Sequence, residues 1–224
     1  MSVVITEVGP SIAEMAQQAD TAAEPRVVLG IPNTGRLYEE GLLLTGYGGA
    51  AEDRSLVHDT ADLVVVNARS NDLPHLLAHG LVDLVLTGRD YVVEAGVLAE
   101  ELWDFGFQRC EVCLLGPVDA ADWRSRPTLR VATQYPRIAT DFLKQHRPDA
   151  HLFTVTGAAE LYARIGAVDV IVDAHMTGRT AAANDLVPLE TILETSGRLF
   201  ARPDWRHEPK NIAGVLSRLT GGGR

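Results

Sequence analysis

The chain has 224 residues, of which 46% are hydrophobic and 22% are charged, and its formal net charge at pH 7 is −10. This hydrophobic share supports packed cores, and the length permits one large domain or two small ones. The acidic balance argues against a nucleic-acid-binding protein, and it requires that any anionic ligand meets a local positive patch. The sequence shows no secretory signal and no apolar run of membrane-spanning length, which favours a cytoplasmic protein with reduced thiols.

Short apolar runs alternate with helix-like stretches from Val27 onward, and this rhythm predicts an α/β fold. The predicted strands are, in chain order, VVLGI, DLVVVNA, VDLVLTG, CEVCLLGP, TLRVATQ, LFTVTG and VDVIVDA. Two helices that end at glycines are predicted between the first three strands: RLYEEGLLLTGYG after the first strand and LPHLLAHG after the second. A last helix is expected at about 209–219. The turn-rich segment 116–127 is predicted to be a surface loop, and 1–24 to be a polar N-terminal arm.

The stretch VDVIVDAHMTGRT, residues 168–180, carries the strongest functional pattern. A buried strand runs into the polar loop TGRT and then into an Ala-rich helix start. Free amides at a helix N-terminus, together with the helix dipole, bind phosphate groups. Asp173 near the strand end is placed to accept hydrogen bonds from ribose hydroxyls. The pattern therefore predicts a site for the ribose 5-phosphate of phosphoribosyl pyrophosphate. An ordinary strand–turn–helix junction is the alternative, since short Gly/Thr loops are common.

Two other residue pairs have the spacing of metal or redox sites. Cys110 and Cys113 form a C-x-x-C pair, but they fall in a predicted strand, where residues i and i+3 point to opposite faces. Because no second pair is present, we predict buried thiols. His75 and His79 are spaced i, i+4 on a predicted helix. No third ligand is evident, so a structural role is predicted for both.

Several segments in order along residues 26–200 resemble one known family. They are GIPNTGRLYEE, RSNDLPHLLAHGLVDLVLTGRD, ELWDFGFQRCEVCLLGP, RVATQYPRIATDFL, ELYARIGAVDVIVDAHMTGRT and ANDLVPLETILETSGRLF. Together they resemble the ATP phosphoribosyltransferase family, whose members open histidine biosynthesis. The family usually has a Lys before the Gly-Arg-Leu turn, where Asn33 and Thr34 stand here, and often another near Gln134.

The resemblance implies a two-lobed type II periplasmic-binding-protein-like fold with the active cleft between the lobes. Lobe I is expected to comprise 25–107 and 183–205, and lobe II to comprise 108–182 with the phosphoribosyl pyrophosphate loop. A C-terminal helix and tail would occupy 206–224. The chain stops too early for the family's C-terminal regulatory domain and so resembles the short form. That form implies a homodimer and a regulatory subunit similar to the catalytic core of histidyl-tRNA synthetase.

The reaction implied by the resemblance is attack of adenine N1 of ATP on C1 of phosphoribosyl pyrophosphate, giving N1-(5-phosphoribosyl)-ATP and pyrophosphate. Arg36 and Arg54 match the family's arginines at the pyrophosphate, where a planar guanidinium binds phosphate in a bidentate manner. Arg69 is a third candidate for contact with the pyrophosphate. Arg69 and Asp72 are also weaker candidates for ATP binding, although Asp72 fits a helix cap better. Mg²⁺ is expected to enter with the pyrophosphate and to need no dedicated protein site.

The same resemblance assigns a set of residues to phosphoribosyl pyrophosphate. These residues are Glu160, Asp169, Asp173, Thr177, Gly178, Arg179 and Thr180. For Asp169, a cap at the start of the strand is the alternative. Two other functions stay open: the same reaction at the start of a pentostatin- or coformycin-type nucleoside pathway, and a non-catalytic small-molecule-binding or regulatory homologue. Nucleic-acid and membrane partners are not expected.

Overall fold

The structure, a computed structural model, describes residues 26–46, 55–60, 62–176 and 178–221, apart from the side chain of Thr180. The arm predicted for 1–24 lies outside the described residues. The chain forms two compact units. Unit 1 comprises the described residues up to Thr87, with Val97–Phe107 and the residues from Gly197 onward, and unit 2 comprises Gly88–Gly96 and Gln108–Ser196. The lobes predicted from the sequence divide the chain at 107/108 and at 182/183.

The core of unit 1 is a sheet in the strand order β2-β3-β1-β4-β9. Its strands are β1 (Val27–Pro32), β2 (Val57–Asp59), β3 (Leu63–Ala68), β4 (Leu84–Gly88) and the C-terminal part of β9 (Val187–Ala201). Strand β1 runs parallel to both β3 and β4, while β2 is antiparallel at the edge. The parallel strands are continuous apolar runs because both faces of such a sheet are covered. Helices α1 (Tyr38–Thr45), α2 (Leu73–Ala78) and α7 (Ile212–Leu219) complete the unit.

Unit 2 contains the strand order β9-β5-β8-β6-β7. Its strands are the N-terminal part of β9, the C-terminal part of β5 (Glu100–Gly116), β6 (Arg130–Thr133), β7 (His151–Thr154) and β8 (Val170–His175). Strand β6 is parallel to β7 and β8, and β5 is antiparallel to β8. Helices α3 (Arg89–Ala95), α4 (Pro136–His146), α5 (Ala159–Arg164) and α6 (Arg179–Ala183) lie between the strands in the chain. None of the helices in the described part of the chain has the length and apolar character to cross a bilayer.

The predicted strands are present, and the predicted helix ends follow the expected glycine chemistry. Helix α1 ends at Gly46, which adopts a left-handed conformation with φ of 68° and donates its amide to the carbonyl of Leu43. The last helix begins at Ile212 and not at about 209, so the predicted start was wrong. The reason is a local cap, since the side chain of Asn211 accepts a hydrogen bond from the amide of Gly214 at 2.9 Å.

The segment predicted as a surface loop, 116–127, is anchored in the core of unit 2, and the prediction was wrong in that respect. Trp123 is only 1% exposed and belongs to the apolar cluster of β6 and α4. Its ring packs against Phe142 at 5.8 Å, and its carbonyl accepts a hydrogen bond from Arg147 Nη1 at 2.7 Å. A large aromatic side chain thus fixes a turn-rich segment.

The cysteine pair occupies β5, as predicted. Cys110 and Cys113 are both free and both buried. Burial, followed by the nearby charge of Glu111, raises the pKa of the Cys113 thiol to about 11, although the contact with the Thr191 hydroxyl opposes this shift. Cys113 therefore carries no thiolate at neutral pH and behaves as a small apolar residue.

Candidate functional site

Three of the predicted phosphoribosyl residues, Glu160, Asp173 and Gly178, lie toward one edge of the sheet of unit 2. Strands β6 and β8 are parallel neighbours, so their carboxyl ends lie side by side, which is where open α/β sheets bind ligands. Asp173 lies near the end of β8, Gln134 directly follows β6, and Glu160 lies in the first turn of α5. Gly178 then starts α6. The structure thus places Glu160 close enough to Asp173 to affect its pKa, and Gly178 shortly after the end of the same strand. Their roles toward a phosphoribosyl group stay predictions.

Asp173 is a buried carboxylate with few neutralising contacts. It is 8% exposed, and its Oδ1 accepts a hydrogen bond from the amide of Ala174 at 2.7 Å. Its pKa is raised to about 6, chiefly by burial and to a lesser extent by the negative charge of Glu160, while hydrogen bonds from Ala174 and Gln134 act in the opposite direction. Hydrogen-bond donors from a ligand would favour the ionised form. The site therefore suits a group with hydroxyl donors, such as a ribose ring.

Gly178 leads from the segment after β8 into the short helix α6. Gly178 is left-handed, with φ of 70° and ψ of −3°, and its carbonyl accepts the first hydrogen bond of α6 from the amide of Ala182 at 2.8 Å. The preceding amides at the head of α6 have no partner within the helix. Arg179 is exposed beside them. Thr177 and the side chain of Thr180 lie outside the described residues, so their contacts with phosphate stay predictions.

Gly178 is required on two counts. Its positive φ is a conformation that side chains with a Cβ rarely adopt. In addition, a Cβ built at this position would lie 3.2 Å from Cε1 of His175, the last residue of β8. The imidazole ring therefore lies directly against the turn of the loop.

Asp169 does not join this group, and its assignment to the ribose site is corrected. Its Oδ2 accepts hydrogen bonds from the amide and Nε of Arg130 at 2.8 and 3.2 Å, and its Oδ1 accepts one from Nη2 at 2.9 Å. These bonds hold the pKa of Asp169 below its ordinary value. Asp169 precedes β8, whereas Asp173 lies four residues further along the strand, about 13 Å away. Asp169 therefore caps the start of β8, which was the alternative interpretation.

The arginine candidates of unit 1 follow two neighbouring parallel strands. Arg36 lies in the turn between β1 and α1, and Arg69 is exposed directly after β3. The two strand ends are joined by a hydrogen bond from the amide of Asn33 to the carbonyl of Ala68 at 2.8 Å. Both arginines thus belong to the same carboxyl edge of the sheet of unit 1. Arg54 lies outside the described residues.

Asp72 occupies the N-cap position of α2, but its side chain makes no capping hydrogen bond and is exposed. The interpretation that Asp72 caps the helix was therefore wrong. The helix start is instead organised by the backbone, since the amides of Asp72 and Leu73 both donate to the carbonyl of Arg69, at 2.9 and 3.2 Å. Asp72 therefore remains free to meet solvent or a ligand.

Two acids of α3, the buried Asp90 and the partly exposed Glu94, were given no role by the sequence. Asp90 is fully buried, and its carboxylate accepts hydrogen bonds from Thr195 Oγ1 at 2.7 Å and from Tyr135 Oη at 3.3 Å. Glu94 accepts the amides of Arg137 and Ile138, at 2.9 and 3.0 Å, and so caps α4 from outside the helix. Asp90 ends a G-x-D motif, which was a usable signal, whereas a cap supplied from 43 and 44 residues away leaves no sequence pattern.

Comparisons with known proteins agree on one family. A family model described as ATP phosphoribosyltransferase matches residues 69–221. A relative from Methanopyrus kandleri with the name ATP phosphoribosyltransferase is 36% identical over 187 residues, covering 80% of this chain and 66% of the relative. One from Halorubrum lacusprofundi with the same name is 34% identical over 204 residues, covering 81% and 68%. The chain thus spans about two thirds of the length of these relatives.

Solved structures extend the likeness to the fold. The ATP phosphoribosyl transferase (HisG:HisZ) complex from Thermotoga maritima contains a chain that matches with a TM-score of 0.75 and 26% identity, covering 88% of this chain and 98% of that one. The ancestral amino-acid-binding protein AncCDT-1 matches with a TM-score of 0.57 at 16% identity, covering 88% of each, which bears on the fold alone. The predicted type II periplasmic-binding-protein-like α/β fold is thereby confirmed.

Proposed function

The chain belongs to the ATP phosphoribosyltransferase family, and from this premise we propose that it joins ATP to phosphoribosyl pyrophosphate. The products are N1-(5-phosphoribosyl)-ATP and pyrophosphate, and the reaction is the first step of histidine biosynthesis. The observation that carries the proposal is the buried Asp173 beside Glu160, at the same sheet edge as the left-handed Gly178. A ribose 5-phosphate requires a carboxylate that accepts hydrogen bonds from the ribose hydroxyls and backbone amides that bind the phosphate.

The ribose end of the substrate is assigned to Asp173 and Glu160. Ribose hydroxyls donate hydrogen bonds to these carboxylates, and each such charge-assisted bond is worth about 1.5–3 kcal/mol. Since ligand donors favour the ionised form of Asp173, binding lowers its pKa from about 6. The 5-phosphate is assigned to the amides of residues 178–180, where the partial positive charge of the helix start favours an anion.

The leaving pyrophosphate is assigned to Arg36 and Arg54. Glycosyl transfer develops positive charge on the ribosyl carbon and negative charge on the departing pyrophosphate, so catalysis consists largely of alignment and of stabilising that negative charge. A guanidinium suits this task because it stays charged and binds two phosphate oxygens at once. Arg69, at the same strand edge as Arg36, adds positive charge for the phosphates of ATP.

Mg²⁺ is assigned to the pyrophosphate of the substrate. In the described part of the chain, no group of three or more His, Cys, Asp or Glu side chains could hold a metal ion. The pair Glu160 and Asp173 nevertheless fits a metal that arrives with its substrate, since Mg²⁺ is held by one or two carboxylates together with phosphates and waters. When bound, it neutralises charge on the pyrophosphate.

The assembly proposed is a homodimer that works with a regulatory subunit. The likeness to a chain of the HisG:HisZ complex supports a partner of that type. The isolated chain should bind histidine weakly and lose little activity to it, and the partner should bring histidine sensitivity. Titration of histidine into the pure chain tests this point. Tight binding with loss of activity, in the absence of any partner, would contradict it.

The activity itself is tested with the purified chain, ATP, phosphoribosyl pyrophosphate and Mg²⁺, by following the absorbance of N1-(5-phosphoribosyl)-ATP. Replacing Arg36 with Ala should slow the single-turnover rate about 10²- to 10³-fold, and Lys should restore only part of it. Arg164→Ala is a matched control, because Arg164 is an exposed arginine on α5 paired with Asp185. The absence of product, or an Arg36→Ala variant as fast as the control, would refute the assignment.

A further inference from the structure

His175 lies between the ribose site and the phosphate loop, and neither assignment uses it. It is the last residue of β8 and is partly buried. Its side chain shares a face of the sheet with Asp173, since alternate residues of a strand point the same way. The ring atoms Cε1 and Nε2 lie 3.2 and 3.4 Å from the position that a Cβ on Gly178 would occupy. The edge of the imidazole ring thus lies beside Gly178.

The other side of His175 is flanked by a fixed acid. Glu111 on β5 stands directly opposite His175 in the antiparallel pair, so the two side chains lie on the same face. The Oε2 of Glu111 accepts a hydrogen bond from Thr191 Oγ1 at 3.1 Å, which ties the acid to β9. The ring of His175 is therefore bordered by Glu111 along the sheet and by Gly178 at the strand end.

We propose that His175 is a positioning residue whose ring holds Gly178 in its left-handed conformation and so keeps the loop amides aimed at the 5-phosphate. The inference rests on the proposed function, since it concerns the same loop. A glycine has wide conformational freedom, so a loop that turns on one needs an external restraint to stay in a single form. When the binding-competent form is only partly populated, affinity falls by that fraction.

Three variants separate this role from a general effect on folding. His175→Ala removes the ring, and His175→Phe keeps a flat ring without nitrogen atoms. Met176→Ala is the matched control, since Met176 is the next residue and its side chain is 50% exposed. We expect His175→Ala to raise both the Kd and the KM for phosphoribosyl pyrophosphate about 10-fold. The KM for ATP and the single-turnover rate at saturation should stay within about 2-fold, because only ground-state binding of one substrate is lost. His175→Phe and the control should resemble the wild type.

A ligand-free measurement reads the loop directly. The amide of Ala182 donates to the carbonyl of Gly178, so its hydrogen exchange reports whether the head of α6 is held. We expect His175→Ala to speed this exchange about 10-fold, while amides of β6 and β8 keep their rates. Unchanged exchange in His175→Ala overturns the inference, as does a His175→Phe variant that behaves like the Ala variant.

Binding results distinguish this inference from the proposed function. If the wild type binds phosphoribosyl pyrophosphate in calorimetry and His175→Ala binds it equally well, the positioning role is wrong and the proposed function stands. An equal rise in the KM for ATP also overturns the role, because the defect would then be general. If the wild type itself binds no phosphoribosyl pyrophosphate, both are wrong.

Discussion

Asp173→Asn should make the ligand-free protein more stable and the enzyme less active. The carboxylate is 8% exposed and its pKa is raised to about 6, chiefly by burial, so its ionised form is disfavoured in the folded state. An amide has nearly the same shape and no charge. It also keeps the hydrogen bond that Oδ1 accepts from the amide of Ala174 at 2.7 Å. The substitution therefore removes a destabilising charge without opening a cavity.

The magnitude follows from the two pKa values. The difference between the ordinary value of 3.8 and the value of about 6 in the fold corresponds to about 3 kcal/mol as an upper bound. At about pH 3 and below, the group is protonated in both the folded and the unfolded chain, so it costs nothing. From there to about pH 6 the folded state holds more protons, and stability falls as the pH rises. Well above pH 6 the full cost is present. The gain from Asp173→Asn should therefore be largest near pH 8, smaller near pH 4.5, and vanish at about pH 3.

Urea unfolding of wild type and variant at pH 8 and at pH 4.5 measures this difference. We expect a stabilisation of about 1–3 kcal/mol at pH 8 and much less at pH 4.5. In the same preparation kcat/KM should fall about 10- to 100-fold, the cost of one charge-assisted hydrogen bond. Asp169→Asn is the opposite control, since its pKa is lowered by Arg130 and its loss should destabilise at pH 8. A variant less stable than the wild type at pH 8 would refute the reasoning.

One substitution and one chemical modification test the core of unit 2. Trp123→Ala should lower the free energy of unfolding by about 3–5 kcal/mol, because it leaves a cavity in place of a buried aromatic ring. A loss below about 1 kcal/mol in urea unfolding would show that Trp123 does not anchor the segment 116–127. Cys113, whose thiol pKa is raised to about 11, should react with iodoacetamide at pH 8 at least about 100-fold more slowly in the native chain than in urea. Rapid native modification of Cys113, located by mass spectrometry, would contradict its burial.

The sequence was sufficient for features that depend on local patterns. Strand β3, for example, begins with Leu63 and three consecutive valines, and a short apolar run of this kind is typical of a buried parallel strand. Asp173 and Gly178 could likewise be placed together, because they are five residues apart at a strand–helix junction. The position of Gly46 at the end of α1 follows from the same kind of local chemistry.

Features that depend on distant residues could not be predicted. Asp169 and Asp173 look alike in the sequence, and only the presence of Arg130, 39 residues away, commits Asp169 to structure. Trp123 lies in a turn-rich segment, and its burial depends on Phe142 and on the neighbouring strands. The partners of Asp90 are 45 and 105 residues away in the chain. A single sequence does not show which of many candidates meets such a residue.

The division of the chain also bears on the order in which the protein can fold during synthesis. Unit 2 is nearly continuous, since all but Gly88–Gly96 of it lies in Gln108–Ser196. The core of unit 1 joins Val27 and Leu29 to Leu199 and to residues of α7, so it closes a loop of about 170 residues. Contacts so distant in sequence form late. The strands that carry Asp173 can therefore assemble as soon as Ser196 has emerged from the ribosome. Strand β1, which precedes Arg36, waits with an apolar face uncovered until α7 has been made, and this interval is where a chaperone would act.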